Sequence, residues 1–369
     1  MKLALVIPGG VDRTGDHRVI PALLALIERM ARTHEVHVFA LRQEPTAGRW
    51  ELAGATIHNI GDGWTRLRAI AAIRAEHRRA PFDLVHAIFS GACSLIAVVA
   101  AKSLRLPSLV HIAGGELVAL REIAYGGRQN WKGRLQEACV LRGANAITAA
   151  SAPIIDSLQA LGLNARRVPL GVDLHRWPPL APRERSAGPA RLIHVASLNR
   201  VKDQPTLLRA LVALLEAGLE FQMDIVGMDT LQGEMQQLAR QLGLERCVSF
   251  LGFKTQRELR PLMESADLLV MSSLHEAGPL VLLEAAVAGV PAVGTAVGHF
   301  AEWSPSAALA VPVGDGDALA NAIHRMLADE ELRLGLARAA QRRAILEDAD
   351  CTVQAFQALY PQYTPLVAR

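Results

Sequence analysis

Short apolar runs of strand length alternate with longer stretches of helical period along nearly the whole chain. Leu3–Ile7 leads into a helix predicted from about Val19 to Thr33, and Val36–Ala40 is the next strand. Asp83–Ala87, Ser108–Ile112 and Asn145–Ala149 follow as strands, with helices around Ser94–Lys102 and over Ala152–Leu161. Runs apolar on both faces and separated by helices predict a parallel sheet covered on both sides. The segment Trp177–Pro189, with four prolines and one glycine, is the clearest linker. After it the pattern restarts: strands at Leu192–Ala196, Gln222–Val226, Val248–Leu251, Leu268–Met271 and Ala292–Gly294. Helices are predicted between and after them, at Pro205–Ala217, Met235–Leu242, Arg257–Ser265, Pro279–Ala288, Asp317–Ala328 and Glu331–Leu346. The chain therefore reads as two open α/β domains in tandem, residues 1–180 and 181–349. Ligands of such sheets bind outside the carboxyl ends of the strands, so two facing domains would share a cleft.

Composition narrows this picture without changing it. At 369 residues, 51% hydrophobic and 20% charged, the chain has enough apolar material for two folded cores and is not disordered. A net charge of +3 is too mild to argue for nucleic acid. Cys93, Cys139, Cys247 and Cys351 are widely spaced, with no CxxC pair, and read as free thiols in a reducing compartment. Met1–Pro8 reads as a strand entering a Gly-rich turn, not as a secretory leader. The apolar stretch Ala87–Ala101 is broken by Ser90, Gly91 and Ser94 and is shorter than a membrane span. A cytoplasmic protein is expected, with the inner face of a membrane as a further location.

The most specific chemistry lies in Glu276-Ala-Gly-Pro-Leu-Val-Leu-Leu-Glu284. Pro279 marks a helix start, and Gly278 permits a close approach of the backbone before it. Glu276 then sits in a loop and Glu284 inside the helix, roughly 7–8 Å further along its axis. Two hydroxyl-binding carboxylates would flank a helix start whose unpaired N–H groups suit an anion. In the first domain Gly9, Gly10 and Gly15 form a loop before a helix, but no GxGxxG pattern is present, so a dinucleotide site is not supported.

Six motifs, in order, resemble the retaining glycosyltransferases of the two-Rossmann-domain (GT-B) type, in particular glycosyltransferase family 4. They are Val6-Ile-Pro-Gly-Gly10 through Gly15 and Arg18; Phe82-Asp-Leu-Val-His86; Val168-Pro-Leu-Gly-Val-Asp173; His194-Val-Ala-Ser-Leu-Asn-Arg-Val-Lys-Asp203; Ser265-Ala-Asp-Leu-Leu-Val270; and the Glu276–Glu284 block. The resemblance covers nearly the whole chain. It implies two facing Rossmann-like domains with a cleft between them, an acceptor-binding domain 1–180, and a nucleotide-sugar-binding domain 181–349. It also implies a last helix, in residues 350–369, that crosses back onto the first domain.

The resemblance implies roles residue by residue. Lys202 falls on the family lysine that contacts the donor diphosphate. The usual arginine falls at Ser197, and Arg200, three positions on, is expected to supply the missing charge. Glu276 would hold hydroxyls of the donor sugar, and Glu284 those of the ribose. Gly278, Pro279 and Leu280 form the helix start, Gly252 and Phe253 would meet the base, and Gly10, Gly15 and Gly298 belong to donor-side loops. Gly114, Gly115, Glu116 and Tyr125 are the acceptor-side candidates. Many members carry a histidine where this chain has Ala113, so no catalytic histidine is carried over. His111 reads as a strand histidine, and His17, His86 and His275 are cleft candidates with core or loop roles as the alternative.

No carboxylate nucleophile stands out in the N-terminal motifs, and the resemblance implies same-face attack, with the leaving phosphate oxygen taking the acceptor proton. No DxD motif stands out, so neither a metal nor a cofactor is expected. The partners implied are a nucleotide-sugar donor and a carbohydrate or lipid-linked acceptor in cell-surface polysaccharide or glycoconjugate synthesis. Acceptor choice would sit in loops around Arg42–Gly54, Gly61–Arg66 and Arg121–Lys132. Arg74, Arg78 and Arg79 read as a solvated helix face, with contact to anionic lipid as the alternative. Two other readings stay open: a nucleotide-sugar 2-epimerase, and a non-catalytic nucleotide-sugar-binding partner subunit, which Ser197 and Ala113 keep alive.

Overall fold

In the computed structural model residues 1–363 are described, and the chain divides into two units. The first contains Met1–Gly171 and the returning segment from Ala349, and the second Val172–Asp348. The boundary expected at 180 falls inside the second unit, because Val172 and Trp177 are buried in its core and the Leu180 amide bonds to the Val287 carbonyl. Residues 364–369 of the expected return lie outside the described residues.

The first unit is built on strands β1 (Lys2–Ile7), β2 (Glu35–Ala40), β3 (Gly48–Leu52), β4 (Ala55–Asn59), β5 (Leu84–Ile88), β6 (Ser108–Ile112), β7 (Ala146–Ala149) and β8 (Arg166–Arg167). Their order is β3-β4-β2-β1-β5-β6-β7-β8. All neighbours are parallel except β3 and β4, a hairpin whose first strand lies within the loop expected around Arg42–Gly54. Ala53 and Gly54 both hold positive φ in its two-residue turn, the conformation that matches strand twist. Alternate residues of β1 divide between two cores: Leu3, Leu5 and Ile7 face helices Pro21–Ala31 and Ala349–Tyr363, whereas Ala4 and Val6 face Thr65–Arg79 and Ala92–Leu104. Helix Ala349–Tyr363 is anchored to this unit by Arg29–Asp350 at 2.8 Å, by Thr352 Oγ1 accepting from the Gly171 amide at 2.9 Å, and by buried Phe356 and Tyr360.

The second unit carries β9 (Ala190–Val195), β10 (Phe221–Val226), β11 (Val248–Gly252), β12 (Leu268–Met271), β13 (Ala292–Thr295) and β14 (Leu309–Val311), in the order β11-β10-β9-β12-β13-β14, all parallel. Both units are thus Rossmann-like. In each the chain lays strands to one side of its first strand, then starts again on the other side. The reversal lies between β1 and β5 in the first unit and between β9 and β12 in the second. Loops leaving the two strands at such a reversal diverge and leave a crevice at their carboxyl ends. In the second unit those loops carry Lys202 and Glu276.

Candidate functional site

Beyond β9 the chain enters a single 3-10 turn, Arg200–Lys202, whose start is capped by the Asn199 side chain accepting from the Lys202 amide. Ser272, the first residue past β12, donates its hydroxyl to the Lys202 carbonyl at 2.8 Å, and the Leu274 amide donates to the Val201 carbonyl at 2.8 Å. The two loops of the reversal are therefore tied together through their backbones. The result is that Lys202 Nζ meets Glu276 Oε1 at 2.5 Å, and Ser273 Oγ donates to the same oxygen at 2.7 Å. Lys202 and Glu276 side chains are 21% and 11% exposed, so the charge-assisted contact is only partly screened. The structure thus brings together Lys202 and Glu276, two of the candidates read from the sequence, and places Ser272 and Ser273 beside them. Their signal was position alone: they directly follow the strand at the reversal.

The Glu276 loop is held from a third side. The Thr295 hydroxyl donates to the Ser273 carbonyl at 2.6 Å. Gly298, at φ +50°, opens the short helix Gly298–Trp303, and a Cβ there would lie 2.9 Å from the Glu276 carbonyl. Only glycine accommodates that approach at little cost. Helix Leu280–Val287 then begins one position later than expected, with Pro279 at its N-cap, and no side chain caps it. Its amino end thus retains the unpaired N–H groups that any helix start offers.

Glu284, one turn into that helix, is 4% exposed. It accepts from Gln256 Nε2 at 3.1 Å, while the Trp177 indole donates to Gln256 Oε1 and so fixes which end of the amide faces the carboxylate. Burial pushes the Glu284 carboxyl up to about 7, against the stabilising Gln256 bond. His194 lies beneath the Lys202 loop, fully buried, with Nδ1 at 2.9 Å from the Val270 carbonyl and Nε2 at 3.4 Å from the Gln204 amide. Burial lowers its pKa to about 4, so it is a neutral brace across β9 and β12. At the end of β11, Gly252 has positive φ and open space on its Cβ side, and Phe253 is 48% exposed beside it.

Arg200 departs from expectation. It pairs at 3.2 Å with Glu234, both groups being well exposed, rather than joining the Lys202–Glu276 cluster. The turn Arg200–Lys202 points successive side chains in different directions, so its arginine reaches an anion beside Lys202 only by changing partner.

In the first unit the expected residues serve mainly their own loops. The Gly10 amide donates to Gln43 Oε1 at 2.7 Å, and Ile20 packs where a Gly10 side chain would stand. Gly15 turns at φ +73° and donates to the Asp12 carbonyl. The Glu116 carboxylate bridges two loop ends, accepting from the Ser90 amide at 2.7 Å and the Gly114 amide at 2.8 Å. The Tyr125 ring lies against Gly115, where a Cβ would come within 2.5 Å of it. His86 and His111 are fully buried, bonded to the Tyr360 hydroxyl at 3.1 Å and to Thr148 Oγ1 at 3.0 Å, and both pack edge-on to Phe356. His86 is therefore a core residue, not a cleft one, whereas His17 is exposed. Helix Trp131–Gly143, which the sequence reading missed, brings Glu137 within 3.5 Å of Arg128, and burial raises the Glu137 carboxyl to about 7. A cavity lined by Leu141, Asn145, Leu163 and Tyr363 opens at the amino end of β7, away from these loops.

Known proteins fall in line with this layout. Residues 181–343 match the family model for glycosyl transferases group 1, and residues 19–171 match a glycosyl transferase 4-like domain. The chain is 30% identical over 231 residues to D-inositol 3-phosphate glycosyltransferase of Corynebacterium jeikeium, covering 58% of this chain and 55% of that protein. It spans about half the length of the curated relatives it matches. Its fold is similar to that of sucrose-phosphate synthase from Thermosynechococcus elongatus, with a TM-score of 0.79 at 19% identity, over 98% of this chain and 99% of that one. It is likewise similar to Anabaena HepE, solved in complex with UDP-glucose, with a TM-score of 0.74 at 20% identity, over 98% and 100% of the two chains.

Proposed function

The chain belongs to the group 1 glycosyltransferases, and from that premise we propose that it moves a sugar from a nucleotide-sugar donor to a carbohydrate or glycolipid acceptor with retention of anomeric configuration. The observation that carries the reading is the cluster of Lys202, Glu276 and Ser273 at the strand reversal of the second unit, beside a helix start that no side chain caps. Lys202 and the first N–H groups of helix Leu280–Val287 stabilise the donor diphosphate as it gains charge. Glu276 accepts hydroxyls of the transferred sugar, and Glu284 those of the ribose. The bond from the anomeric carbon to the phosphate oxygen breaks, the bond to the acceptor oxygen forms on the same face, and the acceptor proton passes to the leaving phosphate. The chain supplies position and charge rather than a nucleophile.

HepE's complex with UDP-glucose supports a uridine donor as the first to test. A lipid-linked acceptor is supported by two exposed tryptophans at the carboxyl edge of the first sheet, Trp64 at 81% and Trp131 at 63%, each flanked by basic residues: Arg66 and Arg68, and Lys132 and Arg134. Amphipathic rings with nearby cations suit a membrane surface. Among the described residues no helix is long and apolar enough to cross a membrane. Ser197 and the surface pairing of Arg200 favour keeping one second reading, a nucleotide-sugar-binding subunit without turnover. A thermal-shift screen against nucleotide sugars tests the binding shared by both: a specific donor raises the melting temperature by mass action, and no response to any of them removes both readings.

A further inference from the structure

On the first unit, away from the residues discussed above, a compact group of nitrogen and oxygen donors lies between the sheet and one helix. His37 on β2 and His58 on β4 occupy neighbouring parallel strands. Phe39 is the register partner of His58, so His37 and His58 share one face of the sheet, diagonally placed. Helix Thr65–Arg79 covers that face and presents Glu76 to it. The His58 ring is stacked between His37 at 5.2 Å and Phe39 at 4.7 Å, so it has little freedom to turn. His37 and Glu76 are 4% and 8% exposed.

The ring nitrogens His37 Nδ1 and His58 Nε2 face each other at 2.9 Å, and the donor atoms of His37, His58 and Glu76 all lie within 4.8 Å of one another. Two nitrogens bound to one tetrahedral zinc at ~2.0–2.1 Å stand ~3.3 Å apart. Opening this pair by a few tenths of an ångström admits the ion. Without it the two nitrogens must share one proton. The second nitrogen of His37, Nε2, is already 3.0 Å from Glu35 Oε1. A carboxylate on the far nitrogen of a histidine fixes its tautomer and raises its basicity, the usual outer support of a metal-bound imidazole.

We propose that His37, His58 and Glu76 bind a divalent transition metal of the zinc class, in a site that staples β2, β4 and helix Thr65–Arg79 together and takes no part in sugar transfer. Two histidines and one glutamate leave a fourth position for water. Lys2 is the natural competitor: its ammonium is 3.3 Å from Glu76 Oε1 and 3.2 Å from Glu35 Oε1. The incoming ion takes Glu76 from it, and Lys2 keeps Glu35. Sequence motifs gave no hint of the site, because its ligands come from three separate elements rather than from one short spacing.

The test uses the full chain, stripped with a chelator, dialysed, and titrated with Co²⁺ and Zn²⁺. The expected result is one equivalent of Co²⁺ with the intense visible absorption of a four-coordinate nitrogen and oxygen set, and a higher melting temperature with Zn²⁺. His58→Gln and Glu76→Gln, which keep hydrogen-bonding capacity and are checked for a cooperative unfolding transition, are expected to lose at least about tenfold in affinity. Lys2→Met, by removing the competing ammonium, binds more tightly. Wild type that takes up no more metal than His58→Gln, or a cobalt spectrum of the weak six-coordinate kind, overturns the proposal.

Discussion

Replacing Glu284 by Gln removes one ionisable group from the interior of the second unit while keeping its shape and its neighbour. The wild-type carboxyl titrates near 7 in the folded protein because it is buried, against 4.5 for an ordinary glutamate. Below 4.5 both folded and unfolded chains hold the proton, so titration contributes nothing to the pH dependence. Between 4.5 and 7 the folded chain keeps a proton that the unfolded chain has lost, so stability falls as pH rises, and above 7 the loss is complete. The slope is about 1.4 kcal/mol per pH unit, which sums to roughly 3 kcal/mol across the window. The measure is amide exchange of helix Leu280–Val287, corrected for intrinsic rates, in wild type and Glu284→Gln from acid to neutral pH. Their difference isolates Glu284 from Glu137, whose carboxyl is also raised to about 7. The two proteins are expected to diverge in that window, and Glu284→Gln should show the flatter curve. Parallel curves would refute the burial argument. Donor binding gives a second readout: ribose hydroxyls donating to Glu284 favour its ionised form, so binding near neutral pH releases a proton from wild type and not from Glu284→Gln. Equal release by both would sink the ribose role.

Gly298→Ala puts a Cβ 2.9 Å from the Glu276 carbonyl at a positive φ, so it should cost about 1–3 kcal/mol of local stability and shift the Glu276 loop. Turnover should fall at least tenfold with the fold retained by circular dichroism, and unchanged turnover contradicts the packing argument. A chelator should leave the initial transfer rate unchanged while lowering the melting temperature of the first unit, since the metal proposed at His37, His58 and Glu76 stands apart from the reaction. Loss of rate in step with chelation would contradict that separation. The product should carry the donor's anomeric configuration by NMR, and an inverted linkage would remove the same-face mechanism.

How much of this was written in the sequence depends on what each feature rests on. Buried parallel strands such as Leu268–Met271 and Ser108–Ile112 were legible to the residue, because both faces are apolar and punctuation bounds them. The hairpin Gly48–Leu52 and Ala55–Asn59 was not: its residues alternate, but each strand is only five residues long and the turn uses Ala-Gly rather than Asn-Gly. Helix Trp131–Gly143 was hidden because few of its residues are buried. Lys202, Glu276 and Glu284 stand out as candidates because each lies in a short local motif. Gln256, Trp177 and Ser273 were not, because their role comes from contacts across 79, 28 and 3 positions that no local pattern encodes. Arg200 shows the converse, as charge in the right stretch of sequence but a surface partner, Glu234, in the fold.

The central claim is that Lys202 and Glu276 make the second unit a turnover site for a nucleotide sugar. Nucleotide release from the best-binding donor, followed for wild type, Lys202→Ala and Glu276→Ala with an acceptor mixture present, tests it directly. Wild type should release nucleotide at least about a hundredfold faster than either variant, the loss expected when one charge-stabilising group is removed. Equal, slow release by all three proteins would contradict the account and leave a nucleotide-sugar-binding subunit in its place.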